Sequence, residues 1–180
     1  MKKTIITILL ALVSLASCSS DPQWADEEAH EKTEQLRKQY TPIIAGTWHV
    51  EYIKDKGRFF ERLTFSADGT FTGMRKWKTR KLVTIDDKEQ YTDWEDVELS
   101  GTFTGTWQLR YWSPEGNSGE KRNCLQLTAT YDDEERDYMA YSCALTFAYA
   151  DATTLRFQGY YVKAPDGWIN YQRGPAEPGF

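Results

Sequence analysis

The stretch GTWHVEYIKDKGRFFERLTFSADGTFTG, residues 46–73, decides the fold. Trp48, Val50 and Tyr52 alternate with Thr47, His49 and Glu51, a period of two that reads as a strand with one apolar face. Asp55-Lys56-Gly57 supplies a turn. A second strand then sets Phe59, Leu63 and Phe65 against Phe60, Arg62 and Thr64. The next turn follows from parity. If Phe65 and Phe71 both face the core, the loop between their strands holds an odd number of residues. A two-residue Asp-Gly loop would put them on opposite faces. A three-residue loop, Ala67-Asp68-Gly69, pairs them and places Gly69 at the left-handed position of a type I turn with a G1 bulge.

The same alternation continues downstream. Residues 81–85 read as a strand, followed by a turn at Asp86-Asp87-Lys88. Val97, Leu99, Phe103, Trp107, Leu109 and Tyr111 keep one parity, and Thr102, Thr104, Thr106, Gln108 and Arg110 take the other. Gly101 and Gly105 interrupt the inward side, as bends in a closing sheet do. After the loop at 113–122, an inward face of Leu125, Leu127, Ala129 and Tyr131 is predicted. A second follows with Met139, Tyr141, Cys143, Leu145, Phe147 and Tyr149, and a third with Leu155, Phe157 and Tyr161. Pro165-Asp166-Gly167 is a turn before a last strand at 168–173. Roughly eight to nine strands in sequential hairpins predict an all-β, antiparallel up-and-down barrel over 45–173, because closure removes the sheet edges.

Composition agrees. The 180 residues suffice for one domain with a sizeable core, and aromatics reach 14%, which favours pleated surfaces over helices. The formal net charge of -5 lacks the basic surplus of a nucleic-acid binder, so no nucleic-acid partner is expected. Residues 1–17 stand apart: Lys2 and Lys3 precede a short apolar run that ends in Leu15-Ala16-Ser17-Cys18, the layout of a secretory signal peptide. Export would leave Cys124 and Cys143 in an oxidising compartment. That favours a disulfide, while strand parity puts the two thiols on opposite faces; both readings stand. Residues 18–44 form a tether. Asp21-Pro22 reads as a helix start, and the pairs Glu28–Lys32 and Glu34–Lys38 support a helix that Thr41-Pro42 ends. The tether is equally readable as a solvated spacer. The Pro/Gly-rich residues 174–180 are expected to form a flexible tail.

Two resemblances follow from these residues. Leu-Ala-Ser-Cys behind its charged and apolar regions resembles the lipobox of bacterial lipoproteins, which implies that Cys18 is the lipidated N-terminus of the mature chain. Ser19, rather than Asp, implies the outer membrane under the sorting rule of that family, on its periplasmic face or at the cell surface. Gly46-Thr47-Trp48, the hairpin from Leu63 to Thr72, Gly105-Thr106-Trp107-Gln108-Leu109, Leu145-Thr146-Phe147 and Thr154-Leu155-Arg156 together resemble the lipocalin-like domain of bacterial lipoproteins. In lipocalins proper a first-strand Trp packs under the barrel floor beneath an Arg from near the last strand; Trp48 and Arg173 are the matching residues. The resemblance implies a barrel able to hold a small apolar or amphipathic ligand, and Trp77, Trp107, Tyr111, Tyr141 and Phe157 are the wall candidates.

No catalytic constellation, metal-ligand spacing or phosphate loop is found, and neither enzyme activity nor a cofactor is expected. His49 lies on the outward side of its strand. The acids at 93–98 and 132–137 read as solvated turns rather than Ca²⁺ loops. Arg75, Lys76, Lys78, Arg80 and Lys81 around Trp77 form a basic cluster that reads as an exposed hairpin end, or as a contact for anionic glycans or head groups. Two functions are expected to compete: a ligand-binding module, and a structural or interaction lipoprotein that contacts an envelope protein or glycan, its barrel filled by its own side chains.

Overall fold

A computed structural model describes residues 26–114, 119–136, 138–162 and 166–180. The signal peptide, Cys18, Asp21-Pro22, Asp137 and Pro165 lie outside them. Among the described residues one helix, α1 (Glu27–Ile44), precedes eleven strands: β1 (Gly46–Lys54), β2 (Gly57–Phe65), β3 (Thr70–Thr79), β4 (Leu82–Ile85), β5 (Lys88–Tyr91), β6 (Glu95–Asp96), β7 (Gly101–Trp112), β8 (Arg122–Tyr131), β9 (Met139–Ala150), β10 (Thr154–Gln158) and β11 (Trp168–Arg173). Eight of them, β1–β3 and β7–β11, form a closed antiparallel barrel; β1 pairs with β11 and β2 with β3, so the sheet has no free ends. Each barrel strand neighbours its sequence neighbour, with β4–β6 as an excursion between β3 and β7.

The turn after β2 has the expected form. Phe65 pairs with Phe71, Ser66 donates to the Thr70 carbonyl at 2.9 Å, and Gly69 has φ +88°. The β4–β5 hairpin turns on two residues, Asp86 and Asp87, both at positive φ, and Lys88 already pairs with Ile85. These are the torsions of the two-residue turn whose twist matches a hairpin.

One end of the barrel, the floor, is plugged by α1. Asp26 caps the helix by accepting from the Ala29 amide at 2.9 Å, and Glu28 pairs with Lys32 at 2.7 Å. The helix does not stop at Thr41-Pro42 but continues to Ile44. Ile44, with no exposed surface, and Ile43 pack into the floor, and that burial outweighs the helix bond that Pro42 forfeits. The helix also covers a sheet edge. β7 outruns β3 at Thr106, leaving the edge at 107–112 without a neighbouring strand there. Arg37 Nε donates to the Leu109 carbonyl at 3.1 Å, and Thr33 Oγ1 accepts from the Tyr111 amide at 3.0 Å.

Parity misplaces two residues of β9. Ala129 pairs with Tyr141 but Thr130 pairs with Met139, so Ala140 is an extra residue; it is buried and Met139 is exposed. At the other end a second irregularity beside Arg156 and Phe157 turns Tyr149 outward and buries Ala150. Each bulge reverses the alternation beyond it. Tyr161 lies not in a strand but in the connection from β10 to β11. The tail, expected to be flexible, lies along the outer wall: Arg62 donates to the Ala176 carbonyl at 3.1 Å, Gly179 N to Glu51 at 2.7 Å, and Lys76 Nζ to a terminal oxygen of Phe180 at 2.9 Å.

Candidate functional site

The floor half of the interior is apolar. Trp48 is fully buried, its Nε1 donates to the Ile44 carbonyl at 2.7 Å, and the Arg173 guanidinium stacks 4.3 Å from the ring centre. Arg173 also donates to the Ile43 and Ala45 carbonyls, tying β11 to the end of α1. Trp107 donates to the Ser66 carbonyl at 2.9 Å and meets Phe65 edge-on. Above these, Gly73 has no room for a side chain: a Cβ there would come 2.1 Å from the Phe103 ring.

The mouth half is different. Glu61 on β2 and Arg75 on β3 form an ion pair inside the barrel, their side chains 1% and 0% exposed. Arg75 Nε and Nη2 both reach Glu61 Oε1, at 2.8 and 2.6 Å. Glu61 Oε2 accepts from the Tyr141 and Tyr171 hydroxyls at 2.7 and 2.5 Å. Arg75 Nη1 donates to the Tyr131 hydroxyl at 2.9 Å, which donates onward to the Leu99 carbonyl. The two charges balance each other and the Tyr131, Tyr141 and Tyr171 hydroxyls take up part of their bonding capacity, while Arg75 Nη2 touches Glu61 as an ion pair without donating a hydrogen bond. Burial pushes the Tyr141 and Tyr171 hydroxyls well above a phenol's ordinary range, and the Glu61 charge adds to it. Burial, the largest single effect, works against the Arg75 charge, but Glu61 together with the Tyr141, Tyr161 and Tyr131 hydroxyls outweighs it and holds the guanidinium above its ordinary value. Burial also pushes the inward Cys143 thiol up to about 12, which leaves it a poor nucleophile at neutral pH. No disulfide joins Cys143 to Cys124: across the sheet Cys124 lies opposite Thr146 and Cys143 opposite Leu127.

Rings box in the Arg75 guanidinium: Phe103 at 5.0 Å, Tyr141 at 5.1 Å and Tyr161 at 3.7 Å. Around the opening stand Phe59 and Trp77, in edge contact with each other, with Trp77 also meeting Tyr161 and Tyr160 meeting Tyr141. Among the described residues, seven large apolar side chains are exposed. Three of them, Ile53, Met139 and Tyr160, lie at or just beyond strand ends on the mouth side, and three more, Leu82, Ile85 and Tyr91, on the separate β4–β5 hairpin that follows β3.

The five wall candidates therefore do not share one cavity. Trp77 and Tyr141 are at the mouth, joined through Tyr161. Trp107 is in the floor, and Tyr111 sits at the α1 edge with Lys32 over its ring. Phe157 stacks on Tyr171. The basic cluster is also divided. Arg75 points into the barrel, Lys78 pairs with Asp96 at 3.6 Å, and Arg80 lies between the Tyr91 and Trp94 rings. His49 faces the outer wall and bonds the Gly174 carbonyl. Both charged residues carry core parity: Glu61 shares that of Phe59 and Leu63, and Arg75, grouped by sequence with an exposed basic cluster, shares that of Phe71 and Trp77.

Fold and interior define an eight-stranded up-and-down barrel with a helix-plugged floor and a polar cluster under an aromatic mouth. No family model, no curated protein and no solved structure matches the chain.

Proposed function

We propose that this chain is a lipid-anchored envelope lipoprotein, attached through Cys18 to the outer membrane, whose barrel binds a small apolar or amphipathic ligand at its mouth without catalysis. One observation carries this reading: six of the seven exposed large apolar side chains among the described residues lie at mouth-side strand ends or on the β4–β5 hairpin that follows β3, and the polar cluster is buried in that half of the barrel. Concentrated exposed apolar surface marks a contact site, and a few buried polar groups beneath it give orientation. The ligand engages the mouth half, because Trp48, Phe65, Phe71 and Trp107 fill the floor.

The test is a titration of the full chain in phosphatidylcholine nanodiscs with palmitate and lysophosphatidylcholine, read by tryptophan fluorescence against empty discs. A saturable change that Trp77→Phe abolishes is expected; no change with either probe would refute the binding reading. Anchoring is tested separately: palmitate labelling should vanish in Cys18→Ala. A second reading, a scaffold that contacts an envelope protein or glycan through the same rim, is favoured by the side-chain filling of the floor half. Crosslinking on intact membranes should then recover a partner whose contact is lost in Ile53→Asp or Ile85→Asp.

A further inference from the structure

We infer that the Tyr161 ring occupies a subsite that a small planar phenol takes in its place, a reading that rests on the mouth being a binding site. Three rings pack around the Arg75 guanidinium. Two of them, Phe103 and Tyr141, are fixed on β7 and β9. The third and nearest, Tyr161, comes from the connection after β10, so withdrawing it breaks no strand pairing.

Two features define what replaces it. The Glu61 carboxylate already faces the Arg75 guanidinium, accepting from Nε at 2.8 Å and lying 2.6 Å from Nη2, while Nη1 holds the Tyr131 hydroxyl, so a second carboxylate would meet a charge that is already balanced. What Arg75 offers is its face, which binds a flat π-system and not a saturated ring. The second feature is the Ala140 carbonyl, which belongs to the extra residue of the β9 bulge and accepts from the Tyr161 hydroxyl. When Tyr161 leaves, that acceptor needs a new donor, since an unpaired buried carbonyl is costly. The occupant is therefore an aromatic ring with a hydroxyl at its far end, a neutral monocyclic phenol.

The probes are 4-ethylphenol, ethylbenzene, which lacks the donor, and 4-ethylcyclohexanol, which lacks the π face, titrated into the full chain in nanodiscs. Wild type should bind 4-ethylphenol in preference to both. Tyr161→Ala should tighten 4-ethylphenol by about tenfold by removing the competing ring. Tyr161→Phe, which keeps the packing, should tighten it by about fivefold by freeing the carbonyl. Unchanged affinity in both variants, or equal binding of 4-ethylcyclohexanol, overturns the inference. If palmitate still binds in that case, the mouth reading stands and the phenol subsite alone fails; if no probe binds, both fail.

Discussion

The floor and the mouth of this barrel solve the same problem, filling the inside of eight strands, with opposite chemistry. At the floor Ile44, Trp48, Phe65, Phe71 and Trp107 pack as hydrocarbon, and the polar edges are met by backbone carbonyls or by α1. At the mouth the centre is an ion pair clothed in tyrosine hydroxyls, and one closing ring comes from a connection rather than a strand. Apolar packing is forgiving in direction and gives stability. A buried charge pair is poor value as stability and is exacting in geometry. Under the proposed function, the floor serves closure and the mouth serves recognition.

The comparison breaks most visibly at the ion pair. Glu61→Leu strands the Arg75 charge and two phenol hydroxyls and should cost about 3–5 kcal/mol by urea unfolding. A cost below that of an exposed substitution would mean that the cluster is not desolvated. At the floor, Gly69→Val forces a β-branched residue into φ +88° and should cost about 1–3 kcal/mol while leaving the mouth's ligand response intact. Asp26→Ala removes the cap of the floor helix and should cost about 1 kcal/mol.

The last effect is absent at neutral pH. Tyr141, Tyr171 and Tyr161, the last pushed up to about 12 mainly by burial, hold their protons in the folded state where the unfolded chain has lost them. The contribution of Tyr161 is full below pH 10 and is lost as pH rises through about 12, and those of Tyr141 and Tyr171, raised well above the ordinary phenol value, also fall as pH rises above 10. Urea midpoints should therefore drop above pH 10, less steeply in the Tyr141→Phe, Tyr171→Phe double variant. An identical slope in that variant would remove the tyrosines from the account.

Alternation made most of the barrel legible: it places the Ala67-Asp68-Gly69 turn and the Phe65–Phe71 pair, whereas the stacking of Arg173 on Trp48 is implied only by the resemblance to lipocalins. It failed where something local overrides the period. The β9 bulges reverse Met139 and Tyr149, because a bulge leaves no mark in a run of apolar residues. Pro42 reads as a stop, yet tertiary burial of Ile44 carries the helix past it. The site was hidden by expectation. Glu61 and Arg75 have core parity, but a charged residue on an apolar face reads as an outward exception until its partner is known, and the pairing across β2 and β3 is visible only once the register is fixed.

The division between floor and mouth is tested most directly by the indole Nε1–H signals in NMR spectra of the full chain during a palmitate titration. The Trp77 signal should shift progressively while those of Trp48 and Trp107, bonded to the Ile44 and Ser66 carbonyls, stay fixed. Movement of Trp48 or Trp107 with Trp77 unchanged would contradict the account.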